Sequence, residues 1–191
     1  KQVVEELMRD VPSLKRFVTL SPIPGFARWL ARAGAEDAGE GAVEEARAAC
    51  DVMRDAGWPE TAHDAAATEA VAPVLMSAAA SYFLVAQTSD GKPVDPVARF
   101  HLGNGARLER INWMADATAK GLRDACGMMV NYRYELKDIE KNHEAYVNEG
   151  TVAASRSVRA LLKGRPKVKA PLAESAEPPP LSLPQPEKSG T

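Results

Sequence analysis

The chain has 191 residues, 45% of them hydrophobic and 26% charged, with a formal net charge of −2 and a pI near 6.0. That is ordinary globular composition, enough for one domain, or one domain with a tail, burying roughly 70% of its unfolded surface. The charge argues against a protein dominated by nucleic-acid binding, and no continuous apolar run reaches the ~18 residues of a membrane span.

The chain opens "KQVVEELMRD", without Met and without a cap. Val3, Val4, Leu7, Met8 and Val11 fall at helical spacing on one stripe. This helix starts as if already under way, so a preceding segment is expected. Pro12 disfavours helix at Val11, and "FVTL" then predicts a short buried strand, which suggests an α/β layer. Two prolines follow Ser21 in "SPIPGF", more constraint than a plain surface turn needs. "ARWLARAG" predicts a short helix closed by Gly34, residues 34–41 a loop, and "AVEEARAACDVMRDAG" a helix ending at Gly57 with Val43, Ala46, Cys50 and Met53 on one face. "PETAHDAAATEAVA" and "PVLMSAAASYFLVA" predict two further helices divided at Pro73.

"QTSDGKPVDP" is a polar turn segment, and "VARFHL" is expected as a strand with Val97, Arg99 and His101 pointing one way. "GNGA" suits either a hairpin turn or the entrance to a helix. "RLERINW" predicts a strand, "ADATAKGLRDACG" a helix capped by Asp116 or Thr118, and "MMVNYRYEL" a strand. On that last strand Val130, Tyr132 and Tyr134 share one face. "TVAASRSVRALLK" predicts a final helix opened by Thr151. Beyond it seven of the fourteen prolines lie between 166 and 191, among Ser, Glu and Lys. Such a segment buries too little to offset its entropy, so 164–191 is expected as a disordered tail. The basic "KGRPKVK" at its start is expected to be a solvated linker.

Cys50 and Cys126 have no metal or disulfide spacing, and are expected as structural thiols in a reducing compartment. The histidines are His63, His101 and His143, with no H-x-x-x-H among them. His63 and His143 sit in polar runs and are expected at the surface. His101 lies beside a glycine-rich turn, a place that exposes side chains to ligands, although a lone strand histidine is usually structural. Ser21 before a proline usually caps or turns, yet at the carboxyl end of a strand it would sit where ligands bind in open α/β sheets. Tyr132 and Tyr134 either pack or lend a phenol to a ligand. There is no G-x-S-x-G elbow, P-loop or G-x-G-x-x-G, so neither a hydrolase of the elbow type nor a nucleotide site is supported.

"FVTLSPIPGF", "PVARFHLGNGARLERINWMAD" and "GMMVNYRYEL", in that order, resemble the carboxyl-terminal half of malonyl-CoA decarboxylases. The resemblance runs over residues 1–163; residues 34–96 are less distinctive and the tail is not covered. It implies a helix-rich α/β (α+β) fold of the acetyltransferase-like (GNAT-like) class. That fold would be a partial domain whose mixed sheet is completed by an upstream segment. The loop for the CoA phosphates and a glutamate of the site would lie in that missing N-terminal segment. It also implies a homo-oligomer, and composition suits a bacterial, cytoplasmic member. Ser21 and His101 match the family's catalytic pair, both also substrate-binding, and Tyr134 a further catalytic residue.

The chemistry so implied is decarboxylation of malonyl-CoA to acetyl-CoA and CO2 through a thioester enolate. The thioester is its own electron sink, so no cofactor and no metal are expected. His101 would donate a proton and Ser21 accept one or bind the departing carboxylate. Two rivals remain: another acyl-CoA enzyme of the same fold, an acyltransferase, which would need an acceptor; and a non-catalytic helical interaction module, in which Ser21 and His101 would lie far apart.

Overall fold

The computed structural model describes residues 2–14, 16–33, 40–89 and 91–162. Strand β1 (Phe17–Pro22) pairs with β3 (Met129–Tyr134), and β3 pairs on its other side with β2 (Arg107–Asn112). Both pairings are antiparallel. The α/β layer suggested by the first helix and strand does not form, and of the expected α/β (α+β) classes the fold is α+β: among the described residues no strand is paired in parallel with another. The one parallel contact is an isolated bridge from Leu108 to Ala154.

Around this sheet lie α1 (Gln2–Asp10), α2 (Phe26–Ala33), α3 (Glu40–Asp55), α4 (Ala65–Leu84), α5 (Pro96–Gly103), α6 (Ala119–Ala125), α7 (Leu136–Glu149) and α8 (Arg156–Leu161). The predicted strands at 17–20, around 107 and around 129 all form; β1 and β3 alternate between a packed and an outward face, whereas β2 buries Leu108 and Ile111, three apart, across a register shift between Leu108 and Arg110. The register places Thr19 opposite Tyr132 and Ser21 opposite Val130, and Leu108 opposite Tyr132. These residues share the inner face. Val18 and Leu20 point to the other face of the edge strand and are exposed.

Four expectations fail for identifiable reasons. Pro73 does not divide α4, which is continuous. Pro73 lies on the exposed face, where water can satisfy the carbonyl that lost its N–H partner. "VARFHL" is not a strand but most of α5. Asp95 caps it, Oδ1 accepting from the Ala98 N–H at 2.8 Å, and Pro96 opens it. Asp-Pro is a helix-start signal that outweighs six residues of weak alternation. "GNGA" is consequently a helix exit, with Asn104 at the C-cap and Gly105 at φ +76°. The charged run after β3 folds as α7, unanticipated because only Ile139 and Tyr146, seven apart, are buried.

Smaller boundary changes follow cap chemistry. Ser155, not Thr151, caps α8, its Oγ accepting from Val158 N–H. Thr118 caps α6. Residues 40 and 41 belong to α3 rather than to the expected loop; 34–39 and the tail lie outside the described residues.

The core is built where α3 and α4 pack together and against α2 and the inner face of the sheet. Ala46, Ala49, Leu75, Ala78, Ala79, Phe83, Leu108 and Val130 are buried there. By length and composition α4, 20 residues, is apolar enough to cross a membrane, a feature missed by counting uninterrupted apolar residues. Its small and aromatic side chains, Ser77 to Phe83, are instead buried against the rest of the fold, as in a central core helix.

Candidate active site

Ser21 sits near the end of β1 and is 5% exposed. The strand runs one residue further, through Pro22. Ile23 and Phe26 are fully buried and anchor the turn into α2. Gly25 is needed here for space rather than for an unusual φ. A Cβ at this position would stand 2.6 Å from the Tyr82 hydroxyl. The two prolines and the close approach of α2 to α4 together fix the backbone that presents Ser21.

His101 comes from the second turn of α5, eighty residues away, and its Nε2 lies 3.1 Å from Ser21 Oγ. Its Nδ1 lies 2.7 Å from the hydroxyl of Tyr134, at the end of β3. The three residues singled out from the sequence therefore meet, although His101 arrives on a helix and not on a strand. Its ring rests on Tyr132, centroids 4.3 Å apart and planes 19° from parallel, while Phe100 stands edge-on at 5.2 Å. Burial alone holds the His101 pKa below its ordinary 6.5, favouring the neutral imidazole. Burial likewise raises Tyr134 and Tyr132 above the usual phenol range, so both stay protonated.

Sequence reasoning missed two parts of this arrangement, Thr19 and Asp95, and left a third, Tyr132, open between packing and a ligand contact. Thr19, two residues before Ser21 on the same strand face, accepts a hydrogen bond from Ser21 Oγ at 3.2 Å. The i, i+2 spacing was a usable signal. Tyr132 is fully buried and serves as the floor beneath the imidazole. Asp95, also fully buried, caps the helix carrying His101 and accepts from the Tyr82 hydroxyl at 3.2 Å.

Beside the triad opens a cleft of about 610 Å³ between α1, β1 and α5, with Thr19, His101 and Tyr134 in its wall. Val3, Leu7 and Phe100 supply an exposed apolar side, and Arg16 a cation. The stripe expected on α1 is thus only partly packed: Val4 is buried, whereas Val3 and Leu7 face the cleft.

The remaining candidates behave otherwise. His63 is exposed. His143, also exposed, bonds through Nδ1 to the Gly103 carbonyl at 2.6 Å and so ties α7 to the end of α5. Cys126 is buried and its thiol is pushed up to about 12; burial also raises Cys50. Neither is a poised nucleophile. Among the described residues no group of three His, Cys, Asp or Glu side chains could hold a metal ion.

A family model described as malonyl-CoA decarboxylase C-terminal domain matches residues 1–171. The mitochondrial malonyl-CoA decarboxylases of Anser anser anser and Mus musculus are 36% and 34% identical, covering 83% and 85% of this chain. The chain spans only about a third of those proteins, 34% and 36% of their lengths. The crystal structure of malonyl-CoA decarboxylase from Rhodopseudomonas palustris superposes with a TM-score of 0.74 at 46% identity, over 84% of this chain and 36% of that one. That from Agrobacterium vitis gives 0.70 at 51% identity, over 84% and 39%.

The bacterial cytoplasmic placement expected from composition is overturned, because the curated relatives are mitochondrial proteins of animals while the solved ones are bacterial. With the fold of solved decarboxylases, a family match along most of its length and the expected hydroxyl–imidazole–phenol cluster assembled, this chain belongs to the malonyl-CoA decarboxylase family.

Proposed function

We propose that this chain supplies the proton-handling part of a centre that converts malonyl-CoA to acetyl-CoA and CO2. The observation that carries the proposal is the 3.1 Å approach of Ser21 Oγ to His101 Nε2 at the wall of the cleft, in a chain of this family. The non-catalytic alternative required those two groups to lie apart.

Breaking the bond to the carboxylate leaves an electron pair that the thioester carbonyl takes up as an enolate. The reaction then needs orientation, a donor near the developing charge and one proton for the new methyl carbon. General acid assistance is worth about 10²–10⁴-fold. In this proposal neutral His101 gives up the Nε2 proton and Ser21 accepts it, passing its own onward; Tyr134 holds Nδ1 and so sets the tautomer. No cofactor is invoked, since the substrate carries its own electron sink. Arg16 places a positive charge beside the apolar wall, complementary to an anionic thioester.

The proposal extends to the rest of the protein. The GNAT-like class, a sheet completed by a segment outside this chain, a domain over 1–163 with 164–191 as its tail, and a homo-oligomeric assembly all belong to it. Support comes from β1 being an edge strand, with no strand on its outer side among the described residues, and from relatives about three times longer.

The test is CO2 release from malonyl-CoA by the native full-length protein, without any acceptor. Wild-type protein should release it; Ser21→Ala and His101→Asn should each cut turnover at least about tenfold, with stability within about 1 kcal/mol. Acyl transfer that demands an added acceptor, with no CO2, would instead favour an acyltransferase.

A further inference from the structure

Four protic side chains stand in a row in this site: Tyr134, His101, Ser21 and Thr19. Their links are 2.7, 3.1 and 3.2 Å. Each has one proton to give, and the direction of one link sets the rest. Ser21 donates to Thr19. The Ser21 oxygen therefore accepts from His101 Nε2–H, and Nδ1, left unprotonated in the neutral ring that burial favours, accepts from the Tyr134 hydroxyl. The row points one way, and the Thr19 proton is the one left over. Among the described residues the Thr19 hydroxyl donates to nothing.

Thr19 also stands where a substrate would be. It lines the cleft and is half-buried, whereas Ser21 lies behind it at 5% exposure. Its main chain is fixed from behind. Asn131 Nδ2 donates to the Thr19 carbonyl at 3.0 Å, and Asn131 is itself held by Asn112 Nδ2 at 2.9 Å. A β-branched side chain adds a stiff χ1.

From this juxtaposition, and resting on the decarboxylase proposal above, we propose that Thr19 is a further catalytic residue, the last link that hands the proton to the substrate carbon. The carbon–carbon bond breaks, CO2 leaves with no electron pair of that bond, and the enolate carbon takes the Thr19 proton. Thr19 takes the Ser21 proton, Ser21 takes that of Nε2, Nδ1 takes that of Tyr134, and water reprotonates the phenol. One proton is consumed for each CO2 released.

The experiment uses the native full-length protein as wild type, Thr19→Val and Thr19→Ser. It reads two quantities: kcat and KM for CO2 release from malonyl-CoA, and uptake of deuterium from heavy water into the methyl group of acetyl-CoA. Exchange reports the proton step without decarboxylation. Thr19→Val, isosteric but without a hydroxyl, should lower kcat and exchange together by at least about tenfold, with KM within about twofold. Thr19→Ser, which restores the hydroxyl, should return both to within about threefold of wild type. Unchanged turnover in Thr19→Val, a loss confined to KM, or lost turnover with intact exchange would each overturn the assignment. Wild-type protein that exchanges deuterium but releases no CO2 would overturn the decarboxylase proposal while leaving Thr19 as the donor. Wild-type protein that does neither would overturn both.

Discussion

The imidazole of His101 lies flat on the ring of Tyr132, with centroids 4.3 Å apart and planes 19° from parallel. One residue comes from a helix and the other from the central strand of the sheet. The stack sets the plane of the imidazole, and the bonds to Ser21 and Tyr134 set its rotation within that plane. Tyr132 is fully buried and its hydroxyl has no hydrogen-bond partner among the described residues. A buried aromatic whose polar handle is unused contributes through its ring.

Tyr132→Phe should therefore keep the stack and cost no stability, or gain up to about 1 kcal/mol by removing an unsatisfied hydroxyl. Tyr132→Ala should cost about 3–5 kcal/mol through the lost ring and the cavity it leaves. Denaturant titration of the two variants separates the contributions. A Phe variant as unstable as the Ala variant would mean that the hydroxyl is paired.

Gly25 and Tyr82 form a second coupled pair, one step removed from the chemistry. A methyl group at Gly25 would press on the Tyr82 hydroxyl, which is engaged with buried Asp95, the cap of α5. Gly25→Ala should destabilise by about 1–3 kcal/mol as an overpacked site. Tyr82→Phe removes the obstructing oxygen and, introduced beside Gly25→Ala, should recover part of that loss. The double-mutant cycle should show coupling above about 0.5 kcal/mol. Simple additivity would contradict the close approach of α2 to α4.

The desolvation of His101 makes the stability of the fold depend on pH. Burial lowers the His101 pKa from 6.5 in the folded chain. Between that lowered value and about 6.5 the unfolded chain binds more protons than the folded one, so stability falls as pH drops through this window and levels off beneath it. At higher pH the group contributes no slope. Unfolding free energies of wild type and His101→Asn, measured from about pH 7.5 to 5, should converge in slope above the window and differ within it, wild type being the more pH-sensitive. Identical slopes throughout would show that His101 is not desolvated.

Which residues matter was largely readable from the chain. A serine before two spaced prolines, a histidine before glycines and a pair of tyrosines two apart on an alternating run are local patterns, and β1 and β3 were legible because their packed and outward residues alternate. The failures were also local in origin. Six residues of apparent alternation in "VARFHL" lost to one Asp-Pro start signal, since a cap satisfies helix N–H groups that a strand would have to pair elsewhere. Pro73 divides a helix only if its orphaned carbonyl has no access to water, and burial is not written in sequence order.

By itself the sequence determined the residue types available for chemistry, the strands and most of the helices, because these depend on side chains within a few positions of one another. Only the tertiary structure decided that Ser21 and His101 meet across eighty residues, that Thr19 faces the cleft and that Tyr132 lies beneath the imidazole. Those relations depend on how β1, α5 and β3 pack, and packing is settled by contacts between residues that no local pattern connects.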